Sequence, residues 1–155
     1  MVMSLGSRPK HHQRIISLDF DGVLHPTAEG AQRVAVTHFG WRAILERLLT
    51  PHPSIMLVVH STWRHQYNLA ELRLLLGDAL GSRVVAAAPA GDDRWLSIQA
   101  WLSEQTKALD LLILDDWPQE FPTTMQFTLV VCDPARGLSD PVVQHSIKQW
   151  LEQRQ

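Results

Sequence analysis

The stretch Arg14–His25, RIISLDFDGVLH, constrains this chain more than any other: an apolar run that stops at two carboxylates one residue apart and a glycine. Ile15, Ile16, Leu18 and Phe20 read as a short buried strand. Ending such a strand in Asp19, Asp21 and Gly22 is electrostatically awkward, because like charges this close raise each other's pKa unless positive charge lies between them. A cation is implied. Mg²⁺ fits, since it takes one or two carboxylates and shares its other positions with water and substrate phosphate. An ordinary polar turn would use the same residues. A calcium loop would not, because it needs a third oxygen ligand ahead of its glycine and a closing glutamate, and Gly22 comes too early.

With 155 residues, 45% of them hydrophobic, the chain has material for one core. The expected organisation is a flexible polar tail over residues 1–13 and a single domain over 14–155. A net charge of −2 supplies no general attraction to nucleic acid or membrane, although a local basic patch remains open. Cys132 is the one cysteine, which excludes an internal disulfide and suits a reducing compartment. No apolar run reaches the roughly 18 residues of a membrane span, and the N-terminus lacks the apolar centre of a signal peptide. A cytoplasmic protein without a membrane partner is expected, and no obligate protein partner is evident.

After the opening strand, Pro26–Gly40 has no clean period and reads as a loop or small flap. Helical spacing follows over Trp41–Leu49, closed by Pro51 and Pro53, and then a strand over Ile55–Val59. Tyr67–Leu76 is again helical, stopping at Gly77, and Ser82–Ala88 is a short strand. Asp92 or Asp93 caps a helix through Trp95, Ile98, Trp101 and Leu102, which puts Arg94 in its first turn. Leu111–Leu114 and Thr128–Cys132 are strands separated by a proline-broken loop over Trp117–Met125. Ser139 or Asp140, with Pro141, opens a last helix over Val142–Arg154. Strands alternating with helices, and apolar throughout, predict an α/β fold: a three-layer, Rossmann-like parallel sheet of about five strands with helices on both faces.

Such sheets bind ligands beyond the carboxyl ends of their strands. Here those ends carry Asp19 and Asp21, then Ser61 in HSTWR, then Asp115 and Asp116 in LLILDD. Three strand ends far apart in sequence therefore deliver oxygen ligands to one edge.

Asp19-x-Asp21-Gly22, Ser61, Arg94 and Asp115-Asp116 together resemble the haloacid dehalogenase (HAD) superfamily of phosphohydrolases. The strings DFDGVLH, STWR, LDDW and the late GLS resemble, more narrowly, the HAD domain related to Swiss-army-knife RNA-repair proteins. The resemblance implies that Asp19 is a nucleophile forming an aspartyl-phosphate. It implies Mg²⁺ on Asp19, Asp115 and the backbone carbonyl of Asp21, with Asp116 at the metal as a direct ligand or orienting its water, or else capping the next turn. Asp21 would be the general acid and base, which needs an elevated pKa or a proton delivered on substrate binding. Ser61, or Thr62 beside it, would bind a phosphoryl oxygen, with the Phe20, Asp21 and Thr62 N–H groups helping. Arg94 stands where the superfamily usually has lysine, and would bridge nucleophile and phosphate. Arg64 would contact substrate phosphate or pair with a carboxylate.

His25, His60 and His65 have no partners at zinc spacing, and His60 reads as a core histidine. Trp63 and Trp117 stand apart from the other tryptophans because they fall in loops at the ligand edge. The segments 21–61 and 61–94 are already filled by the predicted elements, leaving no room for a cap domain. An open site is expected, suited to a large phosphorylated substrate such as a nucleic-acid end or a phosphoprotein. A Mg²⁺-dependent phosphatase is the leading reading. A dehalogenase would need neither Asp21 nor the Asp115-Asp116 pair. A non-enzymatic phosphate-binding module is a further alternative, and a phospho-acceptor of the receiver type would carry its acceptor on the third strand, which here ends in Ala86-Ala87-Ala88.

Overall fold

The computed structural model describes residues 13–27 and 38–153. Residues 1–12 of the expected tail and 28–37 of the expected flap lie outside the described residues. Five parallel strands form one sheet in the order β3-β2-β1-β4-β5: β1 (Gln13–Leu18), β2 (Met56–Val59), β3 (Val84–Ala87), β4 (Leu109–Asp115) and β5 (Thr128–Val131). The helices are α1 (Arg42–Leu49), α2 (Leu69–Gly81), α3 (Arg94–Ser103) and α4 (Pro141–Glu152). No described helix is long and apolar enough to cross a membrane.

Helices cover both faces of the sheet, unevenly. Leu45 and Leu49 of α1, Leu72, Leu76 and Leu80 of α2, and Val143, Ile147 and Trp150 of α4 pack with Ile16, Leu18, Leu112 and Leu114 on one side. On the other side α3 is the one helix among the described residues, its Ile98 and Trp101 against Ile15, Val58, Leu111 and Ile113, with Phe121 of the β4–β5 loop beside them. Consecutive β1 residues thus feed opposite cores. Ile15 and Ile16 are both fully buried, each such burial contributing about 1.5–3 kcal/mol. That explains the unbroken apolar run in the sequence.

The differences from the sequence reading are local. β1 begins at Gln13, which pairs with Leu109, and ends at Leu18, before Asp19 and Phe20. α2 starts at Leu69 rather than Tyr67, because Asn68 and Glu71 form a reciprocal capping box. Gly77 does break the helical path, with φ 79° and ψ 169°, but one more turn follows to Gly81. The Arg42 guanidinium donates to the Leu75 carbonyl at 3.0 Å, satisfying an acceptor near the break. Asp93, not Asp92, caps α3, and Asp140 caps α4 with Pro141 in the first turn.

Candidate active site

The sheet register assembles the site. Leu18 lies opposite Val59 on one side and Leu114 on the other, so the next residues along, Asp19, His60 and Asp115, stand abreast. All three are buried. They straddle the boundary between β1 and β4, where the strand order reverses, and that is where sheets of this kind bind ligands. Arg94 enters from the first turn of α3, where Asp93 accepts from the Leu96 N–H at 2.9 Å. One nitrogen, Nη1, donates to Asp19 Oδ2 at 3.0 Å and Asp115 Oδ1 at 2.7 Å, and lies 3.7 Å from Asp116 Oδ1. Among the described residues Arg94 therefore ties carboxylate to carboxylate through a single nitrogen, where the sequence reading had it spanning nucleophile and phosphate. Its Nε and Nη2 have no hydrogen-bond partner among the described residues, and the guanidinium carbon lies 5.6 Å from the centroid of the Trp117 ring.

Three carboxylates around one guanidinium leave an excess of negative charge. Burial, together with the neighbouring Asp115 and Asp116 carboxylates, pushes Asp19 well above the usual carboxylate range despite Arg94. Asp116 is also raised, by burial and by Asp115. Burial works against Asp115 ionising too, yet hydrogen bonds from His60, Arg94 and the Trp117 N–H hold it below the ordinary value. Burial lowers the basicity of Arg94, and the three aspartates more than reverse this. Asp19 and Asp115 are thus hard oxygen donors in a cluster of three acids whose charge one guanidinium does not match, which fits a divalent cation.

Asp21 sits at the edge of the site, its side chain 42% exposed. His25 donates from Nε2 to Asp21 Oδ1 at 2.7 Å, and the Trp63 indole N–H reaches both oxygens at 3.1 and 3.2 Å. The His25 tautomer follows from its other nitrogen, which accepts the Phe39 N–H at 3.1 Å. The His25 bond, aided by Trp63, holds the Asp21 carboxyl below the usual range against the effect of its burial. Of the two routes considered for a proton on Asp21, a raised resting pKa is the one this geometry opposes. Gly22 makes the turn just after Asp21 at φ 77°, and a Cβ there would stand 2.4 Å from Asp116 Oδ2.

Ser61 is fully buried at the end of β2, where its Oγ accepts from the Trp63 N–H at 3.3 Å, while Thr62 is exposed. The Phe20 N–H, expected to help bind phosphate, donates to Asp19 Oδ1 at 2.9 Å. Arg64 is the clearest correction. Its guanidinium donates to the carbonyls of His60, Ser61, Ala88, Pro89 and Gly91 and to Ser97 Oγ. It therefore pins the β2 and β3 ends to α3, pairing with carbonyls rather than a carboxylate, and has no N–H left for phosphate. Trp63 is likewise committed, stacked on Tyr67 and edge-on to Phe20 and Phe39, whereas Trp117 is half exposed.

Zinc spacing does not find His25 and His60, since each serves an aspartate. The i,i+4 spacing of Asp21 and His25 was the available signal for one of them. For His60 the signal was a titratable residue closing a buried strand. A cavity of about 980 Å³ beside α3, lined by Trp95, Leu102, Met125 and Phe127, includes none of the site aspartates.

The model of a family described as the HAD domain in Swiss Army Knife RNA repair proteins matches residues 15–143. No curated protein and no solved structure matches the chain. The matched span runs from β1 into α4 and takes in every site aspartate. A parallel sheet without a cap domain, acids abreast at its switch point and a family match over most of the length agree: the chain belongs to the HAD domain family of Swiss Army Knife RNA repair proteins and is a HAD-type, phosphatase-like hydrolase.

Proposed function

We propose that this protein is a Mg²⁺-dependent phosphomonoesterase that works through an aspartyl-phosphate on Asp19. The observation that carries the reading is the pairing of Asp19 and Asp115 on one Arg94 nitrogen, at 3.0 and 2.7 Å. Carboxylate attack on a phosphate dianion meets repulsion of about 8 kcal/mol, at about 4 kcal/mol per unit-charge pair near 4 Å and an effective dielectric of 20. Mg²⁺ held by Asp19, Asp115 and the Asp21 carbonyl would offset that repulsion and orient the phosphoryl group. Arg94 adds its own positive charge, and its Nε and Nη2, without partners among the described residues, suit a phosphoryl oxygen. Ser61 uses an acceptor lone pair on Trp63, so its hydroxyl proton remains for another.

In the first step an Asp19 oxygen bonds to phosphorus while the bond to the alcohol oxygen breaks, and the alcohol leaves with a proton from Asp21. Asp21 rests ionised, so that proton is taken up from solvent as the dianion binds beside it. In the second step water attacks the phosphorus, Asp21 takes its proton, and the bond to Asp19 breaks, releasing phosphate. Asp116, 3.7 Å from Arg94 and behind Gly22, orients the inner carboxylates rather than binding metal directly.

An uncapped site favours a large substrate, and a family named for RNA repair favours a phosphorylated nucleic-acid end over a phosphoprotein. The single buried thiol is in keeping with a reducing cytoplasm. Hydrolysis of p-nitrophenyl phosphate, with Mg²⁺ or EDTA, by the parent and Asp19→Asn tests the chemistry. Turnover that needs Mg²⁺ and disappears in the variant is expected. No metal-dependent turnover would favour a non-enzymatic phosphate binder, and turnover surviving in Asp19→Asn would remove the nucleophile. Parallel panels of 3′- and 5′-phosphorylated oligonucleotides and phosphopeptides then sort the substrate class.

A further inference from the structure

Beneath the aspartates, a chain of buried side chains crosses three adjacent strands. Ser17 Oγ lies 2.7 Å from His60 Nδ1, and His60 Nε2 lies 2.8 Å from Asp115 Oδ2. Ser17, His60 and Asp115 are each at most 1% exposed, and the edge of Phe121 closes over the imidazole. We propose that Ser17 and His60 are positioning residues for Asp115, a hydrogen-bonded strut that sets the carboxylate for a divalent cation. The proposal rests on the Mg²⁺ reading above.

With His60 neutral and off the metal, the wiring follows from the partners. An ionised carboxylate only accepts, so Nε2 carries the proton and donates. In a neutral imidazole Nδ1 must then accept, and the Ser17 hydroxyl is left to donate. Asp115 Oδ1 already takes Arg94 Nη1 at 2.7 Å and the Trp117 N–H at 2.8 Å. Of about four lone-pair sites on a carboxylate, three are filled. The strut thus fixes the plane of the group and leaves about one site for a further ligand. Apolar side chains would fill the same space without burying polar atoms, so the fold itself gives no reason for the strut. Its exactness is needed at the metal end, where outer partners that orient ligands typically change affinity 10–100-fold.

A rival wiring is available. His60, Asp19 and Asp115 each offer a ligand atom, all within 4.8 Å of one another. If His60 itself took the cation, Nε2 would be bare and Nδ1–H would donate to Ser17.

The test pairs calorimetric Mg²⁺ titration with imidazole ¹⁵N spectra, on the parent, His60→Gln, His60→Ala and Ser17→Ala, with circular dichroism to check folding. His60→Gln, whose amide replaces the Nε2 donor, is expected to recover most of the roughly 10–100-fold loss of Mg²⁺ affinity in His60→Ala. The parent is expected to show an Nε2–H tautomer that persists when Mg²⁺ is added. Unchanged affinity in His60→Ala, or an equal loss in His60→Gln, overturns the strut. An Nδ1–H tautomer, or loss of Nε2–H on Mg²⁺ addition, also overturns it and makes His60 a ligand. Should His60→Ala not fold, Ser17→Ala decides: a mixed tautomer with weakened affinity supports the strut, and no change in either overturns it. A parent that binds no Mg²⁺ while keeping Nε2–H overturns the metal reading and the strut's purpose with it, a result distinct from failure of the wiring.

Discussion

Replacing Arg94 by methionine removes the only positive charge among the described residues that contacts Asp19, Asp115 and Asp116. The guanidinium is 13% exposed and its two closest acceptors at most 2%, so solvent screens these contacts poorly. Removing one partner of such a buried pair costs about 3–5 kcal/mol, because the other charges stay behind unpaired. For a domain of this size a loss of 1 kcal/mol lowers Tm by about 2–4 °C. Arg94→Met in EDTA should therefore melt about 6–20 °C below the parent. A divalent cation at the same carboxylates supplies what the variant lacks, so saturating Mg²⁺ should raise Tm more in the variant than in the parent. Saturation at about 100 times Kd is worth about 2.7 kcal/mol. Arg94→Lys, which keeps the charge and loses the planar fork, should fall between the two. Differential scanning calorimetry of the three proteins, each in EDTA and in Mg²⁺, reads all of this. A variant melting within about 2 °C of the parent in EDTA, or an equal Mg²⁺ shift in both, would refute the claim that guanidinium and cation answer the same charge.

The same charge excess predicts that Asp19→Asn, besides ending turnover, raises the Tm of the metal-free protein at pH 7. Because the folded pKa of Asp19 is raised, the native state binds more protons than the unfolded chain between the ordinary and the raised value, and stability falls as pH climbs through that window. Melts of parent minus variant against pH in EDTA should show that slope, and a flat difference would contradict it. Gly22→Ala places a Cβ 2.4 Å from Asp116 Oδ2 at φ 77°; the left-handed strain alone costs about 1–2 kcal/mol, so a Tm lower by at least about 2 °C and impaired turnover are expected. Arg64→Lys cannot serve the five carbonyls and one hydroxyl that Arg64 binds, and should lose about 1–3 kcal/mol of stability with KM for p-nitrophenyl phosphate unchanged. A raised KM at unchanged Tm would return Arg64 to the substrate.

The strands were legible because both faces of the sheet are covered, so Ile15, Ile16, Leu111, Leu112, Ile113 and Leu114 had to be apolar without interruption. The aspartates were legible for the opposite reason: charge at the end of such a run has no packing explanation. What the chain hid was the direction of side chains. Arg64 and Arg94 are equally basic on paper, and only the fold shows one spent on carbonyls and the other on carboxylates. His60 looked like core because it is core, and its role depends on register with Asp115, 55 residues away. Strand order likewise could not be read, since no local pattern distinguishes β2 from β4 as the neighbour of β1.

The two aspartates abreast at the switch point are chemically alike in sequence and are driven apart by their surroundings. Asp115 has His60, Arg94 and the Trp117 N–H, and burial still leaves it a firm anion. Asp19 shares Arg94, has the Phe20 N–H, and faces both other acids, so its charge is the less comfortable one. Environments that separate a pair of carboxyls in this way assign their work. A firm anion suits a permanent ligand, because it gains little by changing partner. A carboxylate whose charge is poorly compensated would gain more by sharing an electron pair with phosphorus, and a bound cation would favour its ionised form. On the proposed aspartyl-phosphate reading, the asymmetry that destabilises the metal-free site assigns the nucleophile's part to Asp19 and the anchor's to Asp115. Exchanging their surroundings, not their identities, would exchange those roles.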